Sequence, residues 1–180
     1  MRELYQVWPS ALSPEHVDRI TTTALRQPAE EATLFSAAED MEGIRTCTVR
    51  WLDDEWIRSL LWAYVNRANE SGFGVRLDGS AEMQFVEYDA HESAHYDWHH
   101  DVHWNGQSEQ DRKLSVTVQL SDSNTYQGGD FEFDEVKTNA DFRSQGTVLV
   151  FPSYLRHRIH PVGSGTRRAL VAWFFGPRWK

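Results

Sequence analysis

Residues 113–120 read Lys-Leu-Ser-Val-Thr-Val-Gln-Leu, and this strict alternation decides the fold class. Successive side chains of an extended chain project to opposite sides. Val116, Val118 and Leu120 therefore point one way, and Ser115, Thr117 and Gln119 the other. The same short period recurs on either side of this stretch. Glu82–Tyr88 alternates upstream of it. Downstream, Gly128-Gly129 forms a turn before the alternating Asp130–Phe133. Gly146 then precedes a continuous apolar run, Thr147–Phe151, which reads as a buried strand, and Arg168–Phe175 is the last of the series.

The first 70 residues have a different character. Ser13-Pro14-Glu15 is a helix start: a Ser cap, Pro at the first helical position and an acid in the first turn. Val17, Ile20, Ala24 and Leu25 give that helix an apolar face, and it ends near Gln27-Pro28. Ile44–Leu52 alternates as one strand. Asp53-Asp54-Glu55 opens a second helix, with a face of Ile57, Leu60, Leu61, Tyr64 and Ala68, that runs out at Asn69–Gly72. Short strands behind two helices predict a mainly β chain with N-terminal helices, a β-sandwich or jelly roll with the helices packed on one sheet. No repeat and no long Pro/Gly/Ser linker divides the chain, so a single domain is expected: a helical support lobe over 1–80 and a jelly-roll core over 81–178.

The 180 residues are 40% hydrophobic and 25% charged, a globular composition. The formal net charge of -9 argues against non-specific binding to nucleic acid or to an anionic membrane, because phosphates need a basic footprint. No stretch approaches 18 apolar residues, and the first residues lack the apolar run of a secretory signal. The single cysteine, Cys47, excludes an intrachain disulfide and a cysteine zinc site. A reducing, cytoplasmic setting is the expectation.

Histidine is the informative residue. Of 8 in the chain, His91, His95, His99, His100 and His103 fall in HESAHYDWHHDVHW (91–104), and His157 and His160 lie close together further on. His99-His100-Asp101 is a His-x-Asp, whose imidazole and carboxylate project the same way from an extended segment. A distant second histidine can complete a face of three ligands. Two His and one carboxylate leave open positions suited to non-haem Fe(II). His-x-Asp alone is weak evidence, and the C-terminal segment strengthens it. A buried strand delivers His157, a Pro/Gly turn reverses the chain, and the next strand begins at Arg167. Antiparallel neighbours would hold that guanidinium close to His157, where it can grip a carboxylate with two parallel hydrogen bonds.

Three stretches in this order, YDAHESAHYDWHHD (88–101), KLSVTVQLSDSNTYQGGDFEF (113–133) and FPSYLRHRIHPVGSGTRRALVAWFFGP (151–177), carry a resemblance. Over roughly residues 10–180 the chain resembles the Fe(II)/2-oxoglutarate-dependent oxygenases, in their prolyl 4-hydroxylase-like branch. The resemblance implies a double-stranded β-helix with helices supporting one sheet. It implies Fe(II) held by His99, Asp101 and His157, the family's His-Arg-x-x-Pro-Val pattern selecting His157 over His160. It places the distal carboxylate of 2-oxoglutarate on Arg167 and Tyr88, and Gln119 at a further cosubstrate-contacting position that is often Tyr in relatives. Arg112 and Trp173 match residues at the substrate. O₂ is the other cosubstrate, and ascorbate would serve as reductant. Where this chain has Ala90-His91, members of the branch often carry Gly.

The implied activity is hydroxylation of a C–H bond, of a prolyl residue in a peptide or protein, coupled to decarboxylation of 2-oxoglutarate to succinate and CO₂. The alternatives are hydroxylation of a free amino acid or small metabolite, and a jelly-roll binding module without catalysis. The intact His99, Asp101, His157 and Arg167 speak against the latter. A cupin-type metalloprotein is a further alternative, and would not require Arg167. Each ligand imidazole should hydrogen-bond a fixed acceptor. His100 should face away from the metal and Arg168 outward; Trp104 is expected to serve core or support packing, with a place on the substrate rim as the alternative for His103 and Trp104.

Overall fold

The computed structural model describes residues 4–32, 45–104 and 106–180. In chain order the elements are β1 (Gln6–Trp8), α1 (Pro14–Leu25), β2 (Glu30–Glu31), β3 (Arg45–Thr46), β4 (Thr48–Leu52) and α2 (Glu55–Ala68). There follow β5 (Ala81–Asp89), β6 (His95–His99), β7 (Gln110–Gln119), β8 (Gln127–Gly128) and β9 (Phe131–Phe133). The last are β10 (Val148–Pro152), β11 (His157–Ile159), β12 (Val162–Ser164) and β13 (Thr166–Pro177). They build a seven-stranded sheet, β1-β10-β7-β13-β5-β4-β2, facing a four-stranded sheet, β3-β6-β11-β9, with β12 and β8 as a separate pair. Every pairing is antiparallel. This is the jelly roll, a double-stranded β-helix with its helices on the larger sheet.

The alternation of residues 113–120 explains the layering. Leu114, Val116 and Val118 are fully buried in one cluster with Val148, Val150, Leu170, Ala172 and Phe174 of the neighbouring strands and with Ile20, Ile57, Leu61 and Val65 of the helices. Burying each such side chain contributes about 1.5–3 kcal/mol, so this face holds the helices on. The alternate residues of the same strands, Thr117 of β7 and Arg167, Ala169, Val171 and Trp173 of β13, line a cavity between the two sheets.

Local chemistry sets the helix ends. The Ser13 hydroxyl accepts from the His16 N–H at 3.3 Å, and Asp54 Oδ1 accepts from the Ile57 N–H at 2.9 Å. Past Ala68 the helix widens into one π turn, Asn69–Phe73, ended by left-handed Gly74 (φ 60°). The Asn69 side chain closes that turn with two 2.8 Å bonds to the Val75 backbone. Gly146 (φ +79°) fixes the approach of α1, since a Cβ there would lie 2.3 Å from the Leu12 carbonyl oxygen.

The single strand expected over Ile44–Leu52 is two strands in two sheets. Ile44 lies outside the described residues. Arg45–Thr46 pairs with β6 in the smaller sheet, and Thr48–Leu52 pairs with β5 in the larger. The chain changes sheets at Cys47, which is buried between them, the corner device of packed sheets. Of the short strands the pattern left unassigned, β1 joins the larger sheet, β6 and β11 the smaller, and β8 and β12 form the separate pair.

Candidate metal centre

The two histidines meet as a cross-strand pair, because β11 and β6 register His157 against His99. Asp101 follows just beyond β6, its N–H bonded to the Ser153 carbonyl at 3.0 Å. One ligand atom from each of His99, Asp101 and His157 lies within 4.8 Å of the others. His99 Nε2 stands 3.6 Å from Asp101 Oδ1, and His157 Nε2 3.7 Å from Asp101 Oδ2. These gaps are too long for hydrogen bonds and suit donors sharing one ion about 2.1 Å from each.

The donors are held in a ligating state. His99 Nδ1–H donates to the Asp97 carbonyl at 2.7 Å and His157 Nδ1–H to the Leu155 carbonyl at 2.9 Å. Those bonds fix the tautomer that leaves each Nε2 lone pair facing inward. Burial pushes the His99 imidazolium down to about 3, and the neighbouring His157 adds to the effect. Burial alone would raise the Asp101 carboxyl, but His157, His99 and the Ser115 hydroxyl outweigh it and hold it below the usual range. The Ser115 hydroxyl donates to Asp101 Oδ2 at 2.6 Å and is itself bonded to Ser153 Oγ at 2.9 Å. Two imidazoles whose Nε2 atoms face inward and a carboxylate on one side of a cavity are a donor set that fits a divalent iron.

Arg167 lines the same cavity and is 3% exposed. Among the described residues no carboxylate pairs with it; its guanidinium carbon stands 5.6 Å from the Tyr88 ring centroid. Gly129 makes room for it: φ is +65°, and a Cβ there would come 2.9 Å from Arg167 Cδ. Tyr88 also lines the cavity, and burial raises its phenol, so it offers Arg167 no charge. A buried, unpaired cation of this kind calls for an anionic ligand.

Gln119 differs from expectation. It shares the inward face of β7, but Thr117 reaches the cavity lining and Gln119 does not. Its amide is drawn aside, donating to the Ser121 carbonyl and to the Tyr126 hydroxyl, each at 3.1 Å. Trp173 lines the cavity, and its Nε1–H has no partner among the described residues. Arg112 lies 3.8 Å over the Trp173 ring and pairs with Glu82 at 2.7 Å. It lines an adjoining pocket of about 560 Å³, with Trp51, His103 and Phe175. His160 stands apart from the triad on Glu132 at 2.6 Å, His100 bonds the Tyr154 carbonyl, and Arg168 pairs outside with Glu87 at 3.0 Å.

Sequence reading missed Ser115 as a partner of Asp101, although the polar face of 113–120 displayed it. It also missed Tyr96 and Arg45. The Tyr96 ring lies on His99, centroids 3.4 Å apart and planes within 6°. Simple alternation puts residues three apart on opposite faces; the register shift between His157 and Ile159 brings both inward. Arg45 lines the cavity from the far strand β3, and no motif marks it.

The family model of the 2OG-Fe(II) oxygenase superfamily matches residues 83–175. A PKHD-type hydroxylase of a Synechococcus strain is 37% identical over 79 residues, 43% of this chain and 35% of that protein. One of Hyphomonas neptunium is 39% identical over 61 residues, 33% of this chain and 27% of its own length. The matched stretch thus spans about a third of these curated relatives. Among solved structures, a Pseudomonas putida prolyl-4-hydroxylase superposes with a TM-score of 0.73 at 19% identity, covering 97% of this chain and 93% of that one. A Trichoplax adhaerens prolyl hydroxylase, solved with a hypoxia inducible factor peptide fragment, gives 0.74 at 17% identity, covering 96% and 83%. The solved structures share the jelly roll, and the family match spans both sheets and all three residues of the triad: the chain belongs to the 2OG-Fe(II) oxygenase superfamily.

Proposed function

We propose that the protein is an Fe(II)/2-oxoglutarate-dependent dioxygenase that hydroxylates a C–H bond, with a prolyl residue of a peptide or protein as the leading acceptor. One observation carries this reading: a His-Asp-His triad shares a cavity with a buried guanidinium, Arg167, that has no counterion among the described residues. In this reading His99, Asp101 and His157 hold the iron, and Arg167 takes the distal carboxylate of 2-oxoglutarate with Tyr88 beside it. The bound metal supplies activation of O₂. The acceptor gains one oxygen atom of O₂ as a hydroxyl. The other enters succinate as CO₂ leaves.

The protein's contribution is placement. Apolar Phe131, Phe151, Ile159 and Val171 line part of the cavity, and a low-dielectric lining strengthens the pairing of carboxylate and guanidinium. The acceptor would enter through the pocket of about 560 Å³, past Arg112 and Trp173. The PKHD-type hydroxylase relatives support hydroxylation, and the likeness to a prolyl-4-hydroxylase supports a prolyl acceptor. A second reading, a free amino acid as acceptor, is favoured by Arg45, another guanidinium in the cavity without a carboxylate partner among the described residues.

The test is succinate formation from 2-oxoglutarate with added Fe(II), with Pro-containing peptides and free amino acids scored for a gain of one oxygen by mass. His99→Ala and Asp101→Ala should each abolish turnover. Wild-type turnover in either variant would remove the triad from the reaction.

A further inference from the structure

The cavity beside the triad holds a second guanidinium, contributed from outside the family-matched segment. Arg45 Nη2 donates to Gln84 Oε1 at 2.7 Å and its Nε to Cys47 Sγ at 3.1 Å. Its guanidinium carbon stands 4.7 Å from the centroid of Tyr96, the ring that lies on His99. Arg45 is therefore one aromatic ring removed from the triad. Each of these partners is neutral. Gln84 is an amide, Tyr96 offers the face of its ring, and burial pushes the Cys47 thiol up. Among the described residues no carboxylate pairs with Arg45.

The charges lining the cavity do not cancel. Among the described residues its lining sets two guanidiniums, Arg45 and Arg167, against one carboxylate, Asp101, a formal net of one positive charge. A divalent ion adds two, and dianionic 2-oxoglutarate removes two, so one positive charge remains. A buried charge without a partner is expensive in a low-dielectric space, and an incoming anion relieves it. The register of β5 on β13 gives the depth. Tyr88 pairs with Arg167 at the inner end, Glu82 with Trp173 at the mouth, and Gln84, which holds Arg45, with Val171 between them. Arg45 thus faces the space between the cosubstrate anchor and the entrance, where the acceptor must sit.

We propose that Arg45 binds a carboxylate of the primary substrate, so that the acceptor is a free amino acid or the C-terminal residue of a peptide rather than an internal residue. This assignment rests on the oxygenase reading and narrows its substrate class. The Tyr96 ring, fixed between Arg45 and His99, sets the distance from that carboxylate to the metal. Gln84 acts as a positioning residue for the guanidinium.

Wild-type protein and Arg45→Gln, each loaded with Mn(II) and 2-oxoglutarate, are titrated calorimetrically with the common free L-amino acids and their carboxamides. Tripeptides ending in Pro, with free and with amidated C-termini, are the second arm. In the wild type at least one free acid should bind ~10-fold or more tightly than its amide. The preference should vanish in Arg45→Gln, with the affinities for Mn(II) and 2-oxoglutarate unchanged. Preference confined to the amino acids or to the tripeptides identifies which source carries the carboxylate. The assignment is overturned if no acid binds, if acids and amides bind alike, if the preference survives Arg45→Gln, or if that variant loses 2-oxoglutarate affinity instead. The wild-type comparison needs no variant, and Arg45→Lys, which keeps the charge, should retain part of the preference. Succinate formation reports on the oxygenase reading separately. Turnover without discrimination between acids and amides sinks only the role of Arg45, and absence of turnover sinks the oxygenase reading.

Discussion

Ser115→Ala tests whether the polar face of β7 tunes the metal site. Ser115 is fully buried, and its hydroxyl donates to Asp101 Oδ2 at 2.6 Å. That is the one hydrogen bond to the Asp101 carboxylate among the described residues. A bond to an ionised group is worth about 1.5–3 kcal/mol net, and each 1.4 kcal/mol is about a factor of ten in affinity. Removing it frees the carboxylate to rotate and raises its affinity for a proton, which competes with the metal. The expected result is Mn(II) or Fe(II) binding weakened by about 10–100-fold, with the pH at half-saturation moved upward. Val116→Ala is the control, one residue along on the helix-covered face. It should cost about 2–3 kcal/mol of stability through lost burial and a cavity, with metal affinity unchanged. The measurements are calorimetric metal titration across pH and denaturant unfolding of both variants. If Ser115→Ala loses stability as Val116→Ala does but keeps its metal affinity, Ser115 is packing only and the reasoning fails.

Three further outcomes follow from the same geometry. Arg167→Ala should raise the 2-oxoglutarate KM by the equivalent of about 2–5 kcal/mol, and Arg167→Lys should recover only part of it because two parallel bonds become one; an unchanged KM would remove Arg167 from the cosubstrate site. Metal-free protein should lose stability on acidification, because the folded state holds His99 at about 3 against an ordinary value of 6.5. The unfolded chain takes up that proton first, so stability is full above pH 6.5 and falls by up to about 1.4 kcal/mol per unit below it; Asp101, whose carboxyl is depressed, adds to the loss at lower pH. His99→Gln should flatten that slope in denaturant titrations. Gly129→Ala should cost about 1–3 kcal/mol through its positive φ and weaken 2-oxoglutarate as well, since the new Cβ presses on Arg167 Cδ; a stability loss with cosubstrate affinity intact would separate the two effects.

The jelly roll was legible because β7 and β13 alternate cleanly, and the Ser13 cap and the acidic run Asp53-Asp54-Glu55 announced both helices. His99 and Asp101 were legible from the His-x-Asp spacing and Arg167 from its place at the start of the last strand, whereas the strands of His99 and His157 were not, and His157 and Arg167 lie on opposite sheets rather than on neighbouring strands. What escaped the sequence depends on contacts between distant strands. The strand 44–52 divides at Cys47 because its two halves find different partners, which local alternation cannot report. Tyr96 stacks on His99 only through a shifted register. Gln119 has the right parity for the cavity, yet Tyr126 and Ser121 claim its amide. Arg45 is 54 residues from His99 in the chain and reaches the cavity only through β3–β6 pairing.

The two faces of the larger sheet divide the work of folding and of chemistry. Its outer face, with both helices, carries the main cluster of fully buried aliphatic and aromatic side chains. Its inner face carries Thr117, Arg167 and Trp173, and across the gap the smaller sheet presents the triad. The two histidines of the triad come as a cross-strand pair whose imidazoles are already fixed by backbone carbonyls. Metal binding therefore need not organise the fold, unlike a small zinc domain that is unfolded without its ion. The metal should stabilise the protein only by mass action, by RT ln(1 + [metal]/Kd). Unfolding of the chelator-treated protein should stay cooperative, and its midpoint should climb with the logarithm of added Mn(II). A non-cooperative transition in the metal-free state would mean that the inner face contributes to folding what the outer cluster was credited with.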